Sequence, residues 1–326
     1  MNRARGEEGA PVGERGQRPV GERVPGPLEF CIDAPEHIDL ALSLAPLSHG
    51  RDDPTMHFGG DGVWLARRTA SGPATLRIWT NPGEATIRAQ AWGAGAEQAL
   101  LAVPGLAGVL DDPSQLVAVH PLIRELQRRL AALRLPRSGQ LMPPLIPAVV
   151  EQKVTAGEAQ AAYAALVRRL GEPAPGPAGL RLPPTGALLA ALPYFELHPM
   201  GIERRRAEVL RQLGRLESTI EEMMVLSAHE ARARLQTIAG IGPWTAAEAT
   251  AAAFGDPDAV ILGDAHMPDL VSWARAGEPR GNDTRMMELL EPYRGQRGRV
   301  IRLLQVSRIK IPRYGPRFAP GHIERL

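Results

Sequence analysis

Residues 235–245 read L-Q-T-I-A-G-I-G-P-W-T, and this stretch decides how the surrounding chain folds. The preceding segment 227–230, S-A-H-E, has the S-x-x-E pattern of a capping box, which predicts the start of a helix. Gly240 and Gly242 then predict a tight turn. Pro243 favours the first position of a second helix, because its missing N–H would be unpaired there in any case. The sequence therefore predicts two helices joined by a short glycine hairpin.

An acidic residue follows this predicted unit. Residues 260–262 form a short apolar run, and G-D-A-H at 263–266 closes it, which places the carboxylate of Asp264 in a loop after the second helix. The backbone N–H groups of the hairpin, at the positive end of a helix, are suited to bind a phosphate. A glycine turn alone is equally a common way to reverse the chain, so the neighbouring carboxylate is what favours a functional site.

These residues resemble a known family. G-I-G-P-W-T-A at 240–246 with L-G-D-A-H at 262–266 is similar to the helix-hairpin-helix, Gly/Pro-rich, Asp superfamily of DNA glycosylases. Within it, the alkylated-base enzymes of the 3-methyladenine DNA glycosylase II type look most alike. Further similarity runs from about 143 to 320 and, more loosely, over the N-terminal third. The resemblance implies a hydrolase of base excision repair that removes a damaged base from double-stranded DNA.

The expected fold class is α+β. Residues 28–90 alternate apolar and polar side chains between Gly, Pro and Asp turns, which predicts antiparallel strands. The resemblance implies that this sheet and its helices are TATA-binding-like in outline, and that an all-α helix-hairpin-helix glycosylase domain follows. The length of 326 residues allows about two domains. We place a disordered tail at 1–27, an α+β domain at 28–135 and a helical domain with a basic tail at 136–326.

The C-terminal end of the chain is basic. Residues 275–326 contain twelve Arg and Lys against five Asp and Glu, although the formal net charge of the whole chain is only +2. Such a segment is either an electrostatic footprint for a polyanion such as DNA or a solvated tail.

The composition argues against several other classes of protein. No run of about 18 apolar residues is present, so no membrane span is expected, and the lack of an apolar N-terminal signal favours a cytoplasmic location. Cys31 is the only cysteine, which excludes an iron–sulfur cluster held by cysteines and predicts a small buried hydrophobe. The expected chemistry requires no cofactor, and we expect a monomer.

Three further patterns give structural expectations, two on burial and one on the extent of a helix. Trp64, Trp79 and Trp92 are expected in the core of the sheet layer. Residues 148–170 are expected to form one long helix. The three arginines 204–206 are expected on the solvent-exposed side of the next predicted helix.

Asp264 is the candidate catalytic residue. An N-glycosidic bond breaks through a sugar with oxocarbenium character, which a preorganised carboxylate stabilises, most of all in a dry pocket. The nucleotide must first rotate out of the duplex. One carboxylate suffices where the leaving base is already activated, as an alkylated purine is.

Trp244 decides the predicted reaction type. In the resembled family, glycosylases that also cut the backbone carry a lysine at this position, and that lysine forms a Schiff base with the sugar. The chain has only two lysines, Lys153 and Lys310, and neither is near the hairpin in sequence. We therefore expect a monofunctional glycosylase without lyase activity.

The predicted base pocket contains Trp244, Glu248 and Tyr194. Trp244 is placed to stack on an electron-poor base. Glu248 lies four residues later on the same helical face, where the alkylpurine branch often has an aromatic residue. Its carboxyl either faces the pocket, where it accepts hydrogen bonds from a base edge or assists protonation of a less activated base, or points into solvent.

The remaining site predictions follow from the resemblance. The DNA backbone contacts are Gly240, Ile241, Gly242 and Thr245, and the residues at the gap left by the flipped base are Gln152 and Lys153. Lys153 occupies the position of an apolar or amide wedge in many relatives, and it either clamps a phosphate or the orphaned base or is a surface lysine without a role.

Relatives often hold a structural monovalent cation on carbonyls that match Gln236, Ile238 and Ile241. His266 is expected to be a helix-capping or core-edge residue rather than a metal ligand, because no partner cluster is present.

Two other functions stay open. The first is a non-catalytic helix-hairpin-helix DNA-binding protein, which would have no need of Asp264. The second is a glycosylase for bulky or crosslinked lesions, in which Glu248 and Lys153 mark a changed pocket.

Overall fold

The structure, a computed structural model, describes residues 26–34, 38–81 and 85–311. Within these ranges the fold is α+β, as predicted, with a five-stranded antiparallel sheet and a larger set of helices. Most of the predicted disordered tail at 1–27 and the end of the predicted basic tail, 312–326, lie outside the described residues. None of the described helices is long and apolar enough to cross a membrane.

The sheet is built by the N-terminal part of the chain. Its strands are β1 (Leu28–Asp33), β2 (Met56–Gly59), β3 (Gly62–Thr69), β4 (Gly72–Thr80) and β5 (Thr86–Trp92). Their order is β1-β5-β4-β3-β2, and every neighbouring pair is antiparallel. The likeness of this sheet to a TATA-binding repeat stays a prediction.

Helices make up most of the remaining chain. In chain order they are α1 (Leu40–Leu44), α2 (Ala96–Leu101), α3 (Val103–Leu106), α4 (Pro121–Arg129), α5 (Met142–Val150), α6 (Ala156–Leu170), α7 (Gly186–Ala191), α8 (Tyr194–Leu197), α9 (Arg204–Arg215), α10 (Glu217–Glu222), α11 (Ala228–Leu235), α12 (Pro243–Phe254), α13 (Met267–Ala276), α14 (Asp283–Leu290) and α15 (Arg297–Val306). Short 3-10 turns lie between some of them.

Hydrophobic clusters join these elements. One face of the sheet packs against α1, α2 and α3. A second cluster is formed by α5, α6, α9, α11 and α12, and a third by α4 together with α13, α14 and α15. Helix α4 thus precedes residue 135 but shares its cluster with the C-terminal helices. A domain division at 135 stays a prediction.

The three tryptophans lie on the other face of the sheet, and the prediction that they are core residues is confirmed only for Trp64, which is buried in a small second cluster, and in part for Trp92, which packs against it. Because side chains alternate along a strand, Trp64, Trp79 and Trp92 point away from the face that α1, α2 and α3 cover. Trp64 stacks on Trp92 with ring centroids 5.3 Å apart and packs against the 180–182 segment. Trp79 is only half-buried.

The predicted long helix at 148–170 is in fact two helices. Helix α5 ends at Val150, and Lys153 has a left-handed φ of 58° before α6 begins. Thr155 and Glu158 form a capping box: the Thr155 hydroxyl accepts from the Glu158 N–H, and the Glu158 carboxylate accepts from the Thr155 N–H at 2.8 Å. A helix start is therefore encoded within an otherwise continuous apolar pattern.

One burial prediction is wrong in part and another is wrong. Of the three arginines at 204–206 the first two are exposed, but Arg206 is only 1% exposed. Its guanidinium donates to the carbonyl oxygens of Val150 at 2.6 Å and Gly201 at 3.1 Å. It therefore gives a hydrogen-bond donor to the Val150 carbonyl at the end of α5, which has no partner within the helix. Cys31 is exposed rather than buried, because β1 is an edge strand with one face towards solvent.

Candidate functional site

The predicted helix–hairpin–helix unit is present. The Ser227 hydroxyl accepts from the Glu230 N–H at 3.2 Å, and the Glu230 carboxylate accepts from the Ser227 N–H at 3.0 Å, which starts α11. After α11 the Ile241 N–H donates to the Ile238 carbonyl at 3.0 Å, which closes the turn. Pro243 is the first residue of α12. The local signals in the sequence therefore predict this unit correctly.

The two hairpin glycines have different roles. Gly240 has a φ of 87°, and a Cβ there would lie 2.3 Å from Cγ2 of Val209 on α9, so only glycine fits. Gly242 has extended backbone at the N-cap of α12, and a Cβ on it would meet no atom within 4 Å. Gly240 fixes the hairpin against the protein, whereas Gly242 leaves its surface open.

The start of α12 has the features that attract an anion. The N–H groups in the first turn of a helix have no acceptor within the helix, which applies to Trp244 and Thr245. Because Gly242 has no side chain, nothing caps these groups from within the N-cap residue. The positive end of the helix dipole adds to the attraction for a phosphate.

Gln152 ties the hairpin to the turn after α5. Its side-chain amide donates to the Gly240 carbonyl at 3.0 Å and to the Thr245 hydroxyl at 2.9 Å. The structure thus brings together the predicted DNA-contacting residues of the 151–155 turn and of the hairpin. It also shows that the Gln152 amide and the buried Thr245 hydroxyl already bond each other. Lys153, next in the chain, is exposed beside this junction.

Asp264 lies in the loop between α12 and α13. Its Oδ1 accepts from the N–H groups of His266 and Met267, both at 2.8 Å, so the carboxylate is oriented by the start of α13. The same loop is held from outside, because the Gly263 N–H donates to Asp283 Oδ2 at 2.9 Å. Among the described residues no hydrogen bond engages Oδ2 of Asp264. That oxygen is free to act on a ligand.

Glu248 lies on the wall of a cavity, one helical turn after Trp244 on α12. The pKa of its carboxyl is raised to about 8, first because the half-buried side chain loses hydration and second because it is coupled to the carboxylates of Glu151 and Asp264. This electrostatic coupling places Asp264 in the same neighbourhood as Glu248. Of the two orientations left open by the sequence, the structure has the one that faces the cavity.

The cavity separates the sheet from α5 and α12 and has a volume of about 490 Å³. Near Glu248, His49 and Glu151 line it, with Nδ1 of His49 3.7 Å from Oε1 of Glu151. Its size is within the range of about 300–1,000 Å³ typical of small-molecule sites. Sequence reasoning did not find His49, which carries no local signal. It did not assign Glu151 either, although that residue immediately precedes Gln152.

A second polar group lines the same cavity around Arg67. The Arg67 guanidinium donates to the Ser138 carbonyl at 2.8 Å and to Oε1 of Gln140 at 3.0 Å. Burial lowers the pKa of Arg67 to about 10 and raises the pKa of Glu221. The carboxylate of Glu221 accepts from the N–H of Met142 at 2.7 Å and so caps α5. The charged groups of Arg67 and Glu221 are therefore already hydrogen-bonded within the protein.

Two of the three predicted pocket residues do not line this cavity. Trp244 is half-buried at the start of α12, outside the cavity wall. Tyr194 lies on α8, where its hydroxyl pairs with Nδ1 of His198 at 2.8 Å, and it too is absent from the wall. Only Glu248 among the predicted pocket residues reaches the cavity.

The predicted cation ligands lie at the hairpin. The Ile238 carbonyl already accepts from Ile241, as described above, while the side chain of Gln236 donates to the Arg232 carbonyl at 3.2 Å. A monovalent cation on these carbonyls stays a prediction. His266 is exposed at the start of α13, and the described residues include no group of three or more His, Cys, Asp or Glu that could hold a metal.

Comparison with solved structures identifies the fold. The chain is similar to a 3-methyladenine DNA glycosylase from Archaeoglobus fulgidus, with 18% identity over 86% of this chain and 98% of that one and a TM-score of 0.71. It is similar to the 8-oxoguanine glycosylase/lyase of Clostridium acetobutylicum in its apo-form, with 12% identity, coverage of 86% and 98% and a TM-score of 0.64. The same enzyme in complex with double-stranded DNA gives 13% identity, coverage of 82% and 90% and a TM-score of 0.61.

No protein-family model matches the chain, and no curated protein sequence does. The likeness to the solved structures is therefore a likeness of three-dimensional fold, and it confirms the fold that the hairpin motif implied. This protein has the fold of the 3-methyladenine and 8-oxoguanine DNA glycosylases.

Proposed function

We propose that this protein is a monofunctional DNA glycosylase of base excision repair. It hydrolyses the N-glycosidic bond of an extruded damaged base in double-stranded DNA, with an alkylated purine as the favoured substrate. The observation that carries the proposal is Asp264: its carboxylate is oriented by two backbone N–H groups in the loop after α12, and its second oxygen has no hydrogen bond to any described residue.

Binding to the DNA backbone is assigned to the start of α12. A phosphate beside the lesion accepts from the free N–H groups of Trp244 and Thr245, and the open surface at Gly242 lets it approach. Lys153 supplies a positive charge on the same side, because Gln152 anchors its turn to the hairpin. These contacts do not read base sequence, which suits an enzyme that must act at any lesion.

Bond cleavage is assigned to Asp264. As the C1′–N bond lengthens, the sugar becomes positive, and the free Asp264 oxygen stabilises this charge. The same carboxylate orients the attacking water. An alkylated purine carries a positive charge and leaves without further activation, so one carboxylate is sufficient for it.

The absence of lyase activity is part of the proposal. A lyase needs an amine that attacks C1′, and α12 carries Trp244 where the resembled enzymes that cut the backbone have lysine. Lys153 is nevertheless beside the hairpin in space. Borohydride treatment during turnover, with Lys153→Arg and Lys153→Asn variants as controls, should give no trapped protein–DNA adduct for any of the three proteins.

Every group in this scheme comes from one chain, and none requires a cofactor. We therefore propose a monomer that acts on double-stranded DNA in the cytoplasm without an iron–sulfur cluster.

The cavity of about 490 Å³ also favours a second candidate, a glycosylase for purines with bulky substituents, because it extends beyond Glu248 to Arg67.

Mass spectrometry of released bases tests the proposal. Duplexes that each contain one lesion (3-methyladenine, 7-methylguanine or a bulky purine adduct) are incubated with the full chain. The expected product is the free base together with an intact strand that holds an abasic site. Tight DNA binding without release of any base would support the non-catalytic DNA-binding alternative instead.

A further inference from the structure

Within the part of the chain that the structure describes, the carboxyl of Glu248 has no cationic partner. Among the described residues it takes part in no ion pair and no side-chain hydrogen bond, and it faces the cavity between α12 and the sheet. The charged groups that act on it electrostatically are Glu151, at the end of α5, and Asp264, in the loop before α13. An unpaired carboxylate in an acidic, partly enclosed site is costly, and protonation relieves that cost.

The other charged groups around the cavity do not neutralise Glu248. The remaining titratable residues on its wall are His49, Arg67, Arg68, Tyr163, Glu217 and Glu221. His49 lies against Glu151, and the Arg67 guanidinium is bonded to Ser138 and Gln140. Arg68 pairs with Glu172 at 3.1 Å. Each described cation on the cavity wall is thus committed elsewhere.

The protonation state of Glu248 follows from this arrangement. Burial and the two neighbouring carboxylates raise its pKa to about 8. The side chain is therefore mostly a neutral carboxylic acid at pH 7, and it has a proton to donate. General acids work best when their pKa is near the working pH.

We propose that Glu248 is a second catalytic residue, which donates its proton to the leaving base and so allows this enzyme to release neutral purine lesions as well as cationic ones. The inference rests on the proposed glycosylase function. Glu248 follows Trp244 by one turn of α12, about 6 Å along the axis, and its carboxyl is electrostatically coupled to Asp264, so both carboxylates are placed to act on one extruded nucleotide.

The proton and electron balance of this step is simple. The Glu248 O–H proton moves to a ring nitrogen of the purine as the bond between C1′ and N9 breaks. The bonding electron pair leaves with the base, which departs neutral. Water adds to C1′ and loses a proton through Asp264 to solvent, and the Glu248 carboxylate regains a proton from solvent.

Two substrates separate proton donation from the rest of the reaction. A 7-methylguanine duplex has a cationic leaving group that needs no proton, whereas a hypoxanthine duplex has a neutral one that does. Glu248→Gln has the shape and hydrogen-bonding capacity of the neutral acid but cannot transfer a proton. Under single-turnover conditions this variant should lose about 10²–10⁴-fold on hypoxanthine, the usual contribution of a general acid, and less than about threefold on 7-methylguanine.

The pH profile supplies a readout that a merely structural role would not change. Wild-type release of hypoxanthine should fall as pH rises through about 8, because the active form is the protonated one. Release of 7-methylguanine should lack this step. Glu151→Gln removes a neighbouring negative charge and should move the midpoint for hypoxanthine to lower pH.

The outcomes distinguish this inference from the proposed function. Release of 7-methylguanine but not hypoxanthine by the wild type would leave the glycosylase in place and overturn the role of Glu248. Equal losses on both duplexes in Glu248→Gln would also overturn it, since they would indicate a structural defect. Release of neither base would instead count against the proposed function itself.

Discussion

The first turn of α12 and its middle face different surroundings. At the first turn, Gly242 leaves the backbone N–H groups open, and exposed Lys153 lies nearby, so this end attracts negative charge. One turn later, about 6 Å along the axis, Glu248 faces a cavity that also contains Glu151. In the proposed function, a single helix thus places phosphate-binding N–H groups beside an acidic site. The comparison illustrates how sequence-independent binding and base-directed chemistry can share one rigid element.

The largest expected effect concerns the glycine that holds the hairpin in place. Gly240→Ala forces a side chain into a left-handed backbone and against Val209, which should lower the free energy of unfolding by about 2–4 kcal/mol. Chemical denaturation measures this. A loss below about 0.5 kcal/mol would show that the hairpin is not rigid. The difference between the first turn of α12 and its middle would then be smaller than described.

The neighbouring glycine should behave in the opposite way. Gly242→Ser fits the extended backbone and places a hydroxyl where it caps α12, so stability should stay equal or rise by a few tenths of a kcal/mol. The new hydroxyl competes with the DNA phosphate for the same N–H groups, so duplex affinity should fall about tenfold, measured by fluorescence anisotropy. Unchanged affinity would remove the start of α12 from the DNA interface.

The acidic side of α12 should be detectable as a pH-dependent stability. The folded state raises the pKa of Glu248, so its stability contribution is complete below the ordinary pKa of a glutamate and is lost as pH rises through about 8. Glu248→Gln removes this loss. Its Tm advantage over the wild type should grow from pH 5 to pH 9, by several degrees, since 1 kcal/mol corresponds to about 2–4 °C at this size. Glu222→Gln, at an exposed glutamate, is the matched control and should show no such trend.

The smallest expected effect belongs to Lys153. Lys153→Asn keeps a residue that tolerates the left-handed φ, so the fold should be unaffected. Loss of one phosphate contact should weaken DNA binding a few-fold and reduce the slope of log affinity against log salt by about 0.9. Lys153→Arg should restore the slope. An identical slope for all three proteins would make Lys153 a surface residue without a role.

The same contrast explains what could be predicted from the sequence. The hairpin is encoded locally by two glycines, a proline and a capping box, so its geometry and the position of Asp264 after it follow from the sequence. The cavity is not local: Glu248 shares it with Glu151, His49 and Arg67 only because the sheet packs over α5 and α12. No periodicity or short motif predicts which distant residues line one cavity. The sequence therefore left the orientation of Glu248 open.

The errors in the helical part have a related cause. Arg206 belongs to a run of three arginines, a pattern typical of a solvated surface. It is nevertheless buried, because its guanidinium donates to the carbonyl groups of Val150 and Gly201. The break before α6, by contrast, was readable. Thr155 and Glu158 have the same capping pattern as Ser227 and Glu230, but the surrounding apolar residues favoured a continuous helix.

The central claim, that Asp264 drives base release beside a DNA-gripping hairpin, is tested most directly by measuring release and affinity on one alkylated duplex. The variants are Asp264→Asn and, as a matched control in contact with the same loop, Asp283→Asn. Asp264→Asn should lower single-turnover release by at least about a hundredfold with equal or tighter DNA binding, while Asp283→Asn should stay within about tenfold of the wild type. Release at the wild-type rate by Asp264→Asn would contradict the account.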